Sequence, residues 1–261
     1  MTYLLRLVAC LFLLVSAQSR SIDGTIEINN ASIIAGDITG SGSDSPGYPA
    51  TLDKPGSYVL TGNLNSDGTA IEITVDGVQI NLNGHSITGS TICSGAPGAI
   101  SCAIGNSYGV FGGNYSAIVR NGNVSGFSGG GIFLGNESRV EDIGSKLNAG
   151  FGIRAGDRSF IAGNITVRNA GSGLFVGSGS LVQSNDSSGN TMLGLVGGSG
   201  TGFKDNILNN NGGGAYSGAV DMPINLCDGS LTCSGITELC DGIDNDGDLL
   251  MDEEWPELGS S

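Results

Sequence analysis

The sequence predicts an all-β protein folded as a parallel β-helix, a solenoid in which each turn, or rung, takes about 21 residues. The first observation is composition, because 47 of the 261 residues are glycine, 39% are hydrophobic and only 13% are charged. The second is repetition, because "FGIRAGDRSFIAGN" returns 21 residues later as "SGLFVGSGSLVQSN". Alternating aliphatic runs between glycines are typical of short strands, and a fixed period of this length is typical of solenoids.

Two apolar columns keep the 21-residue period. The first is Ile132, Ile153, Leu174 and Leu195, and the second is Val140, Ile161, Val182 and Phe203. Two residues after each member of the first column stand Leu134, Ala155, Val176 and Gly197. That spacing is the alternation of a strand. With a one-residue insertion the pattern extends back to Val110 and Ile118, and it extends forward to Tyr216 without one. Propeller blades need about 40 residues, which is longer than this period. Leucine-rich repeats need a helix-compatible stretch, which this repeat lacks, so no helix is expected.

A third column is polar and contains Asn164, Asn185 and Asn206. Stacked asparagines at one rung position predict a ladder in which each side-chain amide bonds to the next. The one-residue shift places Asn121 in this column, although Ile143 interrupts it. The functional alternative is a row of asparagines that binds a ligand.

The rest of the chain divides around this repeat. Residues 1–17 are a predicted signal peptide, 18–47 a lead-in, 48–220 the β-helix, 221–239 a cysteine-containing cap and 240–261 an acidic tail. The stretch from Ala70 to Gly89 has the same alternation of aliphatic residues and turns, so it is predicted to be an earlier coil. The segment before it is expected to shield the first open edge of the stack. Residues 91–106 break the period and are expected to leave the coil as one excursion.

The N-terminus has an early arginine, an apolar run and a cleavage pattern of small residues that ends at Ala17. These features predict a secretory signal peptide that is cut after Ala17. Leu7 to Cys10 also match a lipoprotein cleavage box, which leaves lipidation as the alternative. The mature chain is expected to be secreted, periplasmic or on the cell surface. No other segment reaches the roughly 20 apolar residues of a membrane span, and no basic stripe suits nucleic acid.

Cysteine spacing predicts two small disulfide loops in an oxidising compartment, Cys93 with Cys102 and Cys227 with Cys233, leaving Cys240 over. Zinc is the weaker interpretation, because the spacings are not those of zinc motifs and His85 is the only histidine.

Several stretches together resemble a family of secreted bacterial right-handed parallel β-helix proteins within the pectate-lyase-like superfamily. They are "KPGSYVLTGNL", "VQINLNGHSITG", the Cys-Ser-Gly loop followed by "GNSYGV", "NGNVSGF", the "GGI" rungs and "NLCDGSLTC". The resemblance covers about residues 47 to 234. It implies a right-handed coil and export, and the family has no established activity that it would transfer to this chain.

The acidic tail "ELCDGIDNDGDLLMDEEW" predicts a calcium site. Its expected ligands are Asp244, Asp246, Asp248, Asp252 and Glu253. Carboxylates at alternate positions of a tight loop are the hard oxygen ligands that Ca²⁺ prefers. The stretch also resembles a metal-binding motif found near the ends of secreted bacterial proteins, although Leu249 and Trp255 depart from the calcium-loop pattern. The alternative is a solvated acidic extension.

Enzymes on this scaffold cut acidic polysaccharides, and the hydrolases among them need paired carboxylates on one outward face of neighbouring rungs. Asp186 and Asp205 fit best, at roughly 8 Å by strand geometry, a separation that an inverting hydrolase permits. No aromatic residues surround them and no long loops form a cleft. Glu137 and Arg158 stack as a simple surface ion pair. The leading prediction is a non-catalytic extracellular or envelope module that binds a polysaccharide or cell-surface polymer; the alternative is a polysaccharide lyase or glycoside hydrolase.

Overall fold

The computed structural model describes residues 24–222, 224–229 and 233. These residues form a parallel β-solenoid of about eight turns, which confirms the predicted fold class. One short helix, α1, spans Asn30–Ala35. The strands in chain order are β1 (Thr25–Ile28), β2 (Ala50–Leu52), β3 (Gly56–Leu60), β4 (Leu64–Ser66), β5 (Ile71–Ile73), β6 (Val78–Asn81), β7 (Ser86–Gly89), β8 (Cys93–Ala96), β9 (Ala99–Cys102), β10 (Tyr108–Phe111), β11 (Ala117–Ser125), β12 (Gly130–Phe133), β13 (Arg139–Lys146), β14 (Phe151–Ala155), β15 (Phe160–Ala162), β16 (Ile165–Val167), β17 (Leu174–Val176), β18 (Leu181–Gln183), β19 (Asp186–Ser188), β20 (Leu195–Lys204), β21 (Ile207–Leu208), β22 (Tyr216–Asp221) and β23 (Leu226–Cys227).

The strands stack into three parallel faces that the chain visits in the order A, B, C on each rung. Face A contains β2, β5, β10, β12, β14, β17, residues 195–197 of β20 and residues 216–217 of β22. Face B contains β1, β3, β6, residues 117–120 of β11, residues 139–141 of β13, β15, β18, residues 201–204 of β20 and residues 219–221 of β22. Face C contains β4, β7, residues 123–125 of β11, residues 144–146 of β13, β16, β19, β21 and β23.

The core consists of the columns that the sequence predicts. Every member of the two apolar columns is fully buried, and the strand pairings place Ile132 beside Ile153 and Val140 beside Ile161. Matched aliphatic residues therefore stack along the axis, and each contributes roughly 1.5 to 3 kcal/mol through burial.

The prediction for Ile118 is wrong. Val119, which is fully buried, pairs with Val140, while Ile118 is only half-buried and pairs with Arg139. Nine positions separate Val110 from Val119, against eight on the next rung, because the extra residue lies in the turn between β10 and β11. A period count shows that a residue was inserted but does not show on which side of a strand it lies.

The predicted asparagine ladder is present at the corner between faces B and C. Asn164 donates through its Nδ2 to the Oδ1 of Asn185 at 2.9 Å, Asn185 donates to Asn206 at 3.0 Å, and Asn206 donates to Asn225 at 3.0 Å. Asn121 is not a member, because the register pairs Gly122 with Ile143. Asn121 therefore lies one position before the ladder and is exposed.

Two further ladders occupy the other corners. Between faces C and A, Asn148, Asn169, Asn190 and Asn211 repeat the same amide-to-amide bond at 3.0 Å. Between faces A and B, hydroxyls of Ser138, Ser159, Ser180 and Thr201 accept from the backbone N–H one rung below. The buried polar groups that form these three ladders are thus paired rung by rung, and each corner reinforces the same register.

A short helix covers the N-terminal end, which corrects the prediction that the chain contains no helix. Asn29 caps α1 by accepting from the backbone of Ser32, whose hydroxyl in turn accepts from the backbone of Asn29. Ile33 is fully buried in the same core as the rungs. The carboxylate of Asp44 accepts from the backbone N–H groups of Ile38 and Thr51, which ties the cap to the first strand of face A.

The predicted excursion is an antiparallel hairpin of β8 and β9, closed by the Cys93–Cys102 disulfide. The hairpin runs along the corner between faces C and A. Its Gly98 N–H donates to the carbonyl of Gly189 at 2.9 Å, and Thr191 accepts from and donates to the backbone of Ile100. The hairpin is therefore hydrogen-bonded to the rung that contains Gly189 and Thr191, far from its own position in the sequence.

A second disulfide joins Cys227, the last residue of β23, to Cys233. Within the described residues, no helix has the length and apolarity that a membrane crossing requires. The predicted signal peptide, its Cys10 and the residues up to 23 lie outside the described part of the chain.

Candidate functional site

The two acidic residues considered for catalysis lie on either side of the asparagine ladder. Asp186 opens β19 on face C, and its Oδ1 accepts a hydrogen bond from the hydroxyl of Ser188. Its rung neighbours are Ile165 and Ile207, which are 53% and 39% exposed. Asp205 lies in the turn before the ladder with a φ of 57°, at the position that Asp142 takes three rungs earlier in the same corner repeat. Their immediate surroundings are aliphatic and polar.

Glu137 and Arg158 form the surface ion pair that the stacking register predicts. Nη2 of Arg158 is 2.9 Å from Oε1 of Glu137, and both side chains are more than 60% exposed. A pair this exposed contributes under about 1 kcal/mol. It is therefore a weak surface contact between neighbouring rungs.

The predicted calcium ligands Asp244, Asp246, Asp248, Asp252 and Glu253 lie outside the described residues, as does Cys240. Within the described part of the chain, no three His, Cys, Asp or Glu side chains are grouped so that they could hold a metal ion. The calcium site in the tail stays a prediction from the sequence.

Face A carries a feature that the repeat pattern did not predict, a row of partly exposed rings that we call the aromatic stripe. It consists of Tyr108, Phe111, Phe133, Phe151 and Phe175, with Arg154 among them. The strand register places Phe111, Phe133, Arg154 and Phe175 in one outward column. Tyr108 and Phe151 belong to the neighbouring outward column, on either side of Gly130.

The rings of the stripe pack on one another. The centroid distances are 5.0 Å for Tyr108 to Phe111, 5.5 Å for Phe111 to Phe133 and 5.8 Å for Phe133 to Phe151. Offset and edge-to-face pairs at such distances contribute about 0.5 to 1.5 kcal/mol each beyond their burial. The stripe is therefore a preformed surface in which the rings support one another.

Arg154 contacts the three rings of the stripe nearest the C-terminal end, those of Phe133, Phe151 and Phe175. Its guanidinium carbon lies 4.5 Å from the ring centroid of Phe133, 4.9 Å from that of Phe175 and 5.7 Å from that of Phe151. A cation over an aromatic face is attracted by the ring quadrupole, by about 0.5 to 1 kcal/mol at exposed sites. The guanidinium N–H groups remain donors at the edge of an otherwise apolar surface.

The sequence did contain a signal for the stripe. In the outward column that contains Arg154, each aromatic residue directly follows a core position of face A. Phe111 follows Val110, Phe133 follows Ile132 and Phe175 follows Leu174. The core column of face A is recognisable in the sequence because every member is aliphatic. The outward column is harder to recognise because Arg154 interrupts its aromatic residues. Only the register shows that the rings meet.

A comparison of the chain with protein-family models, characterised proteins and solved structures finds no match. The fold and the stripe define the class of the protein, a parallel β-solenoid that displays an aromatic surface along its axis. The likeness to the pectate-lyase-like superfamily stays a resemblance carried by the motifs in the sequence.

Proposed function

We propose that the protein is an exported, non-catalytic module that binds a polysaccharide along its aromatic stripe. The observation that supports this most is the stripe itself, which stretches over the rungs from Tyr108 to Phe175. Large partly exposed aromatic clusters on a protein surface mark interaction sites. The flat apolar faces of sugar rings stack on aromatic side chains, and a repeated polymer suits a surface that repeats along one axis.

The polar groups beside the rings favour a carbohydrate over a purely apolar partner. Arg154 offers N–H donors within the stripe, and the Tyr108 hydroxyl lies at its lower end. Glu72 is the rung neighbour of Phe111 and supplies an acceptor there. Sugar hydroxyls need such donors and acceptors around a stacking platform, since a ligand site combines apolar surface with a few placed polar groups.

Retention on polysaccharides tests this proposal. The purified protein would be run in affinity gels that contain each of a panel of neutral and acidic polysaccharides. Phe133→Ala should reduce retention about tenfold or more, because it removes a partly exposed ring that a bound sugar would cover, and burial of such a ring contributes roughly 1.5 to 3 kcal/mol. Phe160→Ala is the matched control, since Phe160 also lies under an arginine, Arg139 at 4.7 Å, but on face B.

The outcomes of this experiment separate the candidate functions. Equal retention of the Phe133→Ala variant and the unaltered protein on every polymer would reject the stripe as the binding surface. Release of reducing ends or unsaturated products from any polymer would favour the alternative, a polysaccharide lyase or glycoside hydrolase. In that case Asp205→Ala tests whether the carboxylate at the ladder corner is required.

We also propose that the acidic tail binds Ca²⁺ through Asp244, Asp246, Asp248, Asp252 and Glu253. The support is their spacing in the sequence, which puts carboxylates at alternate positions. Calorimetric titration of the full chain with Ca²⁺ tests the site, and Asp246→Asn is expected to weaken binding. Absence of heat and of any thermal shift at millimolar Ca²⁺ would reduce the tail to a charged extension.

A further inference from the structure

A second surface of the solenoid has the properties of a ligand site. A shallow groove of about 300 Å³ lies on face B near the N-terminal end. Its polar lining comes from Thr25, Ser57, Gln79, Asn81 and Arg120. The register places Thr25, Ser57 and Gln79 in one outward column, and it places Asn81 and Arg120 in the neighbouring one. The groove is therefore built by strands on four successive rungs.

Arg120 is the charged group of this groove and has no partner within the described residues. The four other described arginines are held by Glu141 for Arg139, Glu137 for Arg158, the rings of the stripe for Arg154, and the Gly95 carbonyl for Arg168. The Arg120 side chain is exposed, so its guanidinium can meet a ligand. A planar guanidinium with a free fork of donors matches a carboxylate bidentately.

Asn81 supplies a donor whose direction is fixed. Its Oδ1 accepts from the backbone N–H of Asn83 at 2.8 Å and from the Nδ2 of Asn121 at 3.3 Å. Its own Nδ2 is therefore left to donate into the groove. In the described part of the chain, the side chains of Gln79 and Ser57 also make no hydrogen bond with protein atoms. The groove thus combines several unused donors with one positive charge.

Charge varies along the groove and gives a bound ligand a direction. Glu27 lies at the far end, in the column of Val59 and Asn81, three rung steps from Arg120, or about 14 Å. Glu141 is the next rung neighbour of Arg120, but its carboxylate is bonded to Arg139 at 2.8 Å. An anionic group is consequently favoured at the Arg120 end, and hydroxyl groups are favoured toward Ser57 and Glu27.

We propose that this groove is a second binding site that takes a hydroxyl-rich carboxylate, such as a sugar acid. The carboxylate pairs with Arg120 beside the Asn81 amide, and the hydroxyls lie against Gln79 and Ser57. The site is separate from the aromatic stripe, which occupies a different face. Its existence does not depend on polymer binding to face A.

An NMR titration of the full chain with three small probes tests this site. The probes are D-glucuronate, which has the charge and the hydroxyls, D-glucose, which lacks the charge, and acetate, which lacks the hydroxyls. Glucuronate should shift the side-chain amide signals of Gln79 and Asn81 in a saturable manner. Glucose and acetate should each bind at least about tenfold more weakly than glucuronate, because each lacks one half of the contacts.

Two matched variants decide whether the site is specific. Arg120→Gln should weaken glucuronate binding about tenfold or more, and Arg158→Gln, which removes an exposed arginine on another part of the surface, should leave it unchanged. Unperturbed amide signals of Gln79 and Asn81, equal binding of acetate and glucuronate, or equal losses in both variants would overturn the proposal. Phe133→Ala should keep glucuronate binding, so failure of the stripe and failure of the groove give different results.

Discussion

The rings of Tyr108 and Phe151 belong to strands two rungs apart, yet their centroids are only 6.2 Å apart and their planes differ by 21°. Two rung steps are about 9.6 Å, so the rings lean toward each other across the rung between them. Gly130 occupies that rung and has no side chain. A Cβ atom at position 130 would come within 2.7 Å of the Phe151 ring. The absence of a side chain at Gly130 is therefore what lets the stripe close up.

Gly130→Ala should open the aromatic stripe without unfolding the protein. The added methyl group must displace the Phe151 ring, which breaks its near-parallel contact with Tyr108. We expect loss of the NOE between the two rings and a several-fold loss of retention on the polysaccharide that the unaltered protein binds. Gly68→Ala is the control, because a Cβ at position 68 meets nothing within 4 Å. An unchanged ring NOE in Gly130→Ala would contradict this account.

Asn185→Ala should strongly destabilise the solenoid, because Asn185 is an internal member of the ladder. Its Oδ1 accepts from both the backbone N–H and the Nδ2 of Asn164, and its Nδ2 donates to Asn206. Buried groups left unpaired cost about 1 to 3 kcal/mol each, so we expect a loss of about 3 kcal/mol or more in the free energy of unfolding, measured with urea. Asn121→Ala, outside the ladder, removes one exposed hydrogen bond to Asn81 and places alanine at a positive φ of 60°, so it should cost only about 1 kcal/mol.

This comparison also tests the register correction. Had Asn121 been a ladder member, as the sequence predicted, its alanine variant would lose a similar amount. Equal effects of the two substitutions would therefore restore the predicted register and reject the observed one.

The parts of the fold that follow from periodic burial were predictable. Val140 and Ile161 repeat because each rung needs an inward aliphatic residue at the same height, and period alone locates them. Ile118 was misplaced because an inserted residue can be absorbed on either side of a strand, and only pairing resolves which. The second ladder, with Asn148 and Asn169, was overlooked although its members also stand 21 residues apart.

The candidate surfaces were less predictable for a physical reason. An outward side chain is constrained by its partners and not by the core, so Phe133 and Arg154 share a column without sharing chemistry. The groove on face B depends on Thr25 and Arg120, which are far apart in sequence and do not repeat. The sequence could place each residue on a strand, but not show which surfaces formed when the strands stacked.

Gly173→Ala should destabilise the middle of the solenoid. Gly173 faces the inward side of face C, and a Cβ there would overlap Ser187 Oγ and lie 2.6 Å from Asn190 Nδ2 and 2.8 Å from Thr166 Oγ1. These groups are fully buried and cannot move into solvent. Overpacking of this kind costs about 1 to 3 kcal/mol, which urea denaturation measures.

Gly62→Ala is the control for this substitution. A Cβ at position 62 meets nothing within 4 Å, and the backbone there has no positive φ. The alanine should be neutral, or stabilising by about 0.4 to 1 kcal/mol through the unfolded state. A loss at position 62 as large as that at 173 would show that glycine content in general, and not the close approach to face C, sets stability.

Asp53 should make the N-terminal cap sensitive to acid. Hydrogen bonds from the hydroxyls of Ser41 and Thr39 lower the pKa of the Asp53 carboxyl from 3.8 to about 2. Between these two values the folded protein keeps the carboxylate while the unfolded chain takes up a proton. The stabilising contribution of Asp53 is therefore complete above about pH 5 and is lost as the pH falls from about 4 to 2.

Thermal unfolding at a series of pH values, for the unaltered protein and for Asp53→Asn, measures this effect. The difference in melting temperature should be constant near neutral pH and should shrink below about pH 4, because protonation makes the two proteins alike. Asp67→Asn is the control for the loss of one surface charge, since Asp67 is exposed and its carboxylate accepts no hydrogen bond within the described residues. A difference for Asp53→Asn that persists unchanged to pH 2 would contradict the role assigned to the hydroxyl groups of Ser41 and Thr39.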